Sequence, residues 1–354
     1  MWALDNQTSF AAGRAWARNR DGGEIWLVAV KGTYNIDRNG ATRLADDQVD
    51  LFLTPQFSGE PGKSSLLYDT DFPRTKLTTD VILNGSAYAP NARPTMAVDV
   101  SLRVGGITKS LHITGDREWT AGPLGPRLSW PAKTFVKTPI VYERAFGGED
   151  SASSKPAWDR ANPVGTGYVT QKGHLVGRRA PNIYAAEAGP FASAENPTPA
   201  GFGAIAGHWS PRVKFAGTYD REWESRRAPL LPDDFNDRFY QCAPSDQQTP
   251  QFLKGGEQVE LRNLTPHGYL QFLLPRVIFG FETDFGNEVV NHRANLHTVI
   301  LEPDIPRVLM VWHSALPCHP KVSKLRRTMI VEKTVLARPR TDGGSGATGA
   351  EEFA

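Results

Sequence analysis

The sequence predicts an all-β or β-dominated protein, with sandwich- or barrel-like sheets interrupted by a long irregular middle segment rich in proline, glycine and aromatic residues. Three observations lead there. Short runs rich in β-branched and aromatic residues recur along the chain. Glycine and proline, 33 and 27 of 354 residues, form about 17% of the sequence against a usual ~12%. Helical periodicity sustained over a dozen residues is hard to find anywhere.

Taken in order, the first β-rich region covers residues 1–145. Glu24 to Tyr34, Thr78 to Tyr88, Met96 to Val104 and Ile107 to Trp119 read as strands. Within Val98 to Val104, apolar and polar residues alternate with the two-residue period of a half-buried strand. Gly105-Gly106 then supplies a two-residue turn, and Ile107 to Ile113 returns as the partner.

The middle, residues 146–250, breaks every few positions at proline or glycine, yet it keeps its aromatics, among them Trp158, Tyr184, Phe191, Phe215 and Phe239. A disordered linker would be poor in such residues. An ordered, irregular segment pinned onto the β scaffold by aromatic anchors is expected instead. A second β-rich region, 251–338, holds runs at Glu257–Asn263, Tyr269–Leu274, Thr298–Leu301, Arg307–Trp312 and Thr328–Leu336. Asp304 and Ile305, between two prolines, read as a turn joining two of them. A chain of this length can bury one large core or two smaller ones; the small polar residues 339–354 read as a flexible tail.

Composition excludes several function classes. Forty basic against 38 acidic residues leave a formal charge of +2, so no global basic field points to nucleic acid or an anionic membrane. No run reaches the ~18 apolar residues of a membrane helix, and the N-terminus lacks the apolar core of a secretory signal. Cys242 and Cys318 are too few for a disulfide framework. A cytoplasmic protein without cofactor or metal is the expectation.

The motifs that suggest chemistry are weak. Ser58 to Ser64 ends in Gly-Lys-Ser, but a phosphate loop needs glycine where Phe57 stands. Gly201 to Gly207 misses the dinucleotide spacing. A tight, solvent-facing turn is the better account of both. His292, His297, His313 and His319 lie near Cys318, but His292 and His297 are five apart, which does not converge ligands on a strand or a helix. Asp233 to Asp237 read as surface acids or caps after Pro232. Lys321 to Arg340 carries seven cations and one acid, which suits either the rim of an acidic partner's site or a solvated edge strand guarded by charge.

The stretch Tyr142-Glu143-Arg144-Ala145-Phe146-Gly147-Gly148 raises the question of an active-site loop or a backbone device. Alternation from Thr138 onward sends Ile140, Tyr142, Arg144 and Phe146 to one face. Gly147 and Gly148 then permit the backbone angles that turn the chain into the middle. With no paired nucleophile and base, it reads as a structural corner, with Glu143 and Arg144 bracing it ionically.

Many ordered motifs also resemble one bacterial family: the YERAFGG stretch, Asn162 to Tyr168, Pro181-Asn182-Ile183, Ala200 through Asp220, Pro229 to Phe235, Ala243 to Gln248 and Gly255-Gly256-Glu257. It is the domain-of-unknown-function family numbered twenty-one sixty-nine. The resemblance runs from the N-terminus to about Val335, and on it residues 1–338 are taken as a single domain. It implies a cytoplasmic accessory protein of type VI secretion, an adaptor or chaperone that stabilises a secreted effector and helps load it onto spike proteins of the VgrG and PAAR type. The family carries no established catalytic residues across.

Two functions follow as expectations. In the first, the chain is a protein-binding adaptor whose middle segment presents Trp209, Arg212, Tyr219, Trp223, Arg226 and Arg227, residue types that dominate interface hot spots; the same residues also suit gluing the segment to the sheets. In the second, it is a carbohydrate-binding or glycoside-hydrolysing protein using Glu282 and Asp284, which share a strand face.

Overall fold

The computed structural model describes residues 2–188 and 197–333. Phe191, the part of the last predicted strand beyond residue 333, the distal part of the basic stripe and the expected tail lie outside them.

Strands dominate, in three main sheets. The longest contains Ala11–Arg18, Glu24–Ile36, Arg307–Pro317, Asn295–Glu302 and Asp80–Leu83 in that spatial order, with Thr42–Leu44 added beside Glu24–Ile36. A second orders Ile183–Ala185, Ile107–Thr114, Ala97–Val104, Gln258–Arg262 and Tyr269–Leu273. A third joins Ala3–Asn6, Arg327–Glu332, Phe279–Asp284 and Val289–Arg293.

The two β-rich regions interleave. Glu24–Ile36 pairs antiparallel with Arg307–Pro317, and Ala97–Val104 with Gln258–Arg262. Val100, Leu102, Leu261 and Phe272 of the second sheet share one core with Trp26, Val28 and Val30 of the first and with Phe279 and Ile330 of the third. The N- and C-terminal segments thus bury their apolar faces against each other.

The hairpin forms as expected: Ile107 pairs with Val104, and Gly105 takes the left-handed φ of +53° that the two-residue turn demands. The turn at Asp304-Ile305 also forms, closed by Ile305 N–H donating to the Glu302 carbonyl at 3.0 Å. The run from Thr78 to Tyr88 is not one strand. It breaks after Leu83, and Ser86–Tyr88 pairs instead with Lys137–Pro139; between them Gly85 packs so close to Pro303 that a Cβ there would lie 2.9 Å from its ring. Strand Arg327–Glu332 lies between two neighbours, so the described part of the basic stripe is not an edge strand. Sequence reading also missed Ala11–Arg18, Phe279–Asp284 and Val289–Arg293.

The YERAFGG stretch is a corner, but not by strand alternation. The strand stops at Pro139, and Tyr142–Arg144 form a 3-10 turn in which Tyr142 is buried and Arg144 half-buried. Gly147 and Gly148 have φ of +141° and +91°. A Cβ on either would meet a carbonyl oxygen, of Asn162 or Gly165, at 2.2 Å, so both glycines are required by contact as well as by angle. Asn162, fully buried, donates its amide to the Tyr142 carbonyl at 2.8 Å and the Phe146 carbonyl at 2.9 Å. Glu143 accepts from the Ser65 N–H at 2.8 Å, and Arg144 pairs with Asp116. Arg144 thus braces the corner ionically as expected, whereas Glu143 does so through hydrogen bonds from Ser65 and in no ion pair among the described residues. Asn162→Ala takes a donor from both carbonyls, of which Tyr142 keeps the Ala145 N–H at 3.1 Å, and should cost about 1–3 kcal/mol of stability by urea unfolding; a cost within a few tenths would deny the side chain that role.

The irregular middle is likewise pinned. Gln247 donates to the Val81 and Phe202 carbonyls at 2.8 and 2.9 Å, and Ile205 N–H to the Cys242 carbonyl at 2.7 Å. Ala200–Ala206 is therefore mostly buried against the sheet edge, not the solvent-facing turn its glycines suggested. Gly59 to Lys63, by contrast, is an exposed turn as expected, tied by Gly59 N–H to Ser64 Oγ at 2.9 Å. No helix among the described residues is long and apolar enough to cross a membrane.

Candidate partner-binding site

The middle segment and the loop before strand Asp80–Leu83 enclose a cleft of about 650 Å³, within the range of ligand and side-chain pockets. Its walls are Phe57, Leu66, Phe72, Leu231, Phe235, Phe239 and Tyr240, with Ala17 of strand Ala11–Arg18. The segments converge because each carries an aromatic that buries there: Phe235, Phe239 and Tyr240 pack mutually at ring separations of 5.5–5.9 Å. The 3-10 turn Asp237–Tyr240 that presents two of them starts at Asn236, whose side chain accepts from Arg238 N–H at 3.0 Å.

Arg212 forms the floor. It pairs with Asp69 at 2.9 Å, donates to the Ile205 carbonyl at 2.6 Å and twice to the Phe239 carbonyl at 2.8 and 3.0 Å, and is buried. Trp209, also buried, meets Tyr142 edge-to-face at 5.5 Å. Neither has surface to offer a partner; both knit the middle segment to the corner and the cleft, which corrects their assignment as contact residues. Arg227 is half-buried and bridges elements too: it donates to the carbonyls of Leu231 and Arg20 and pairs with Asp21 and Asp233, each at 3.2 Å.

The remaining candidates face outward. Tyr219 lines the cleft, stays 54% exposed and stacks edge-to-face on Trp223 at 4.8 Å. Trp223 belongs to the short helix Arg221–Arg226, capped by the Asp220 carboxylate; it is half-buried and donates its indole N–H to the Leu230 carbonyl at 2.8 Å. Arg226, exposed, pairs with Glu222 one turn back at 2.6 Å. The structure therefore brings Tyr219, Trp223 and Arg226 to one outer ridge and assigns Trp209, Arg212 and Arg227 to its support.

Sequence reasoning missed Arg74 and Phe72, which reach the cleft from a loop far upstream. Arg74 lies against the Tyr240 hydroxyl, whose pKa is raised by burial and held back by the guanidinium charge. No local pattern marks such a residue, since its partner is more than 160 positions away.

Beneath the cleft lies a layer of buried charge. Lys31 pairs with Asp71 at 2.5 Å, and burial shifts both toward their neutral forms, lowering the lysine and raising the carboxyl. Lys76 meets Asp80 at 2.5 Å and Thr298 at 2.9 Å; burial opposes its charge, but Asp80 overrides it and raises the pKa. Asp80 also accepts from Gln241 at 2.9 Å and from the Cys242 N–H at 2.8 Å. Burial keeps the Cys242 thiol protonated, which removes its nucleophilic form.

His297 and His313 stack at 4.6 Å nearby, while His292 is held separately by Thr283 and Ser314. No group of three metal-ligating side chains occurs among the described residues. Glu282 and Asp284 share the outer side of strand Phe279–Asp284 and do not line the cleft; Asp284 accepts from Gly286 N–H at 2.6 Å. Asp234 accepts from Thr218 N–H at 2.9 Å and thereby closes a loop.

A family model described as "Uncharacterized protein conserved in bacteria (DUF2169)" matches residues 21–313. No curated protein and no solved structure matches.

Proposed function

The chain belongs to this family of uncharacterized bacterial proteins, and from that premise we propose that it is a non-enzymatic adaptor or chaperone of the cytoplasm that binds and stabilises a secreted effector. The observation that carries the reading is an aromatic-walled cleft whose mouth bears a half-exposed tyrosine, Tyr219, beside Trp223, all set on interleaved sheets. Rigid aromatics on a fixed scaffold lose little entropy on binding, which is what a protein-contact surface requires. Asp69 in the cleft lining is engaged by Arg212. The assignment of the effector to type VI secretion, and of the spike proteins as further partners, rests on the family resemblance.

Co-expression with effector candidates encoded nearby tests the proposal: a soluble, co-purifying complex is the expected result, and failure to hold or stabilise any of them would overturn it. Within such a complex, Tyr219→Ala and Arg226→Ala should weaken capture with the melting temperature nearly unchanged, since both side chains are exposed. Trp209→Ala should instead cost about 3–5 kcal/mol of stability, as expected for a large buried aromatic. Equal stability losses at all three positions would remove the ridge as a contact surface.

A further inference from the structure

We propose that the cleft receives an extended peptide segment of the partner carrying a large apolar side chain with a carboxylate one or two residues away, and that Arg74 takes the carboxylate. This rests on the reading of the cleft as a protein-binding site and adds the chemistry of what enters it.

Charge inside the cleft is unbalanced. Asp69, the one carboxylate in its lining among the described residues, is held by Arg212 at 2.9 Å. Arg74 shares that lining, is half-buried, rests on the Tyr240 hydroxyl, and makes no ion pair among the described residues. A guanidinium set among apolar walls is poorly screened and matches a carboxylate with two parallel hydrogen bonds. The Phe72, Phe235 and Phe239 rings line the same cleft and offer it apolar surface. A basic peptide meets no unengaged acid here. Nucleic acid, which is held through many phosphates at once, meets one arginine not already in an ion pair, among aromatic walls.

A phage-displayed library of random twelve-residue peptides, selected on the immobilised full chain, tests this. Enriched peptides should pair Phe, Trp or Leu with Asp or Glu within two positions. Synthesised with a fluorescein label, they should bind about tenfold or more weakly to Arg74→Gln, the scale of one lost charge-assisted contact, and Arg74→Lys should recover part of that loss. Replacing the peptide's own acid by its amide should weaken binding to the unaltered chain by a similar factor, a measurement that needs no variant to fold. Enrichment of basic or acid-free peptides, or indifference to both changes, would overturn the proposal. An effector held equally well by the wild type and a stably folded Arg74→Gln would sink this inference and leave the adaptor reading standing. Peptides bound through Arg74 in a protein that holds no effector would do the reverse.

Discussion

Replacing Asp80 by alanine should remove about 3–5 kcal/mol of folding stability, read as a shift of the urea midpoint, because it strands a buried cation. Asp80 and Lys76 are both buried, and their charges meet at 2.5 Å. The carboxylate also anchors Gln241 and the Cys242 N–H, so the loss propagates into the middle segment. Lys76→Met should cost a comparable amount, since it leaves the anion uncompensated. The double substitution should cost clearly less than the two single costs added together, because removing both charges removes the orphan that each single change creates. Additive costs, agreeing within about 0.5 kcal/mol, would show that the pair is not the interaction that matters. A folded Asp80→Ala that loses effector capture would tie this layer to the cleft above it, because the Gln241–Cys242 link follows directly after the Phe239-Tyr240 wall.

Sheet content was legible because the apolar pattern of Val98 to Val104 and its Gly-Gly turn is local: period and turn chemistry together fix one hairpin. The long run Glu24–Ile36 was legible for another reason, its burial on both faces, which needs no alternation. Missed strands such as Val289–Arg293 have one exposed face and few neighbours, so their pattern is short and weak. The corner's glycines were read correctly as backbone devices, whereas the stop at Pro139 was hidden, since nothing nearby announces that Asn162 will claim the Tyr142 and Phe146 carbonyls. Residue type named the ridge candidates but could not sort them. Trp209 and Tyr219 look alike as interface aromatics until long-range packing buries one and leaves the other out.

Acid should unfold this protein well before its carboxylates account for it. His292, His297 and His313 are neutral in the fold: burial lowers His292 to about 4 and His313 to about 3, the latter helped by the Lys76 charge, and pushes His297 well below its ordinary value. Above pH ~6.5 these groups are neutral in both states and contribute nothing to pH dependence. Below it, the unfolded chain takes up their protons and the native chain does not, so stability falls as pH falls, by about 1.4 kcal/mol per pH unit for each group and ~4 for the three. The loss runs from about pH 6.5 toward 4, where His292 begins to protonate in the native state as well. Asp71, raised by burial, works in the opposite sense near the acid end. Urea midpoints at pH 7.5, 6 and 5 measure the slope. His313 bonds through neither ring nitrogen, so His313→Leu should cost little at pH 7.5 and flatten the slope by about a third; a slope left unchanged by that substitution, or equal stability at pH 7.5 and 5, would contradict the neutral stacked pair.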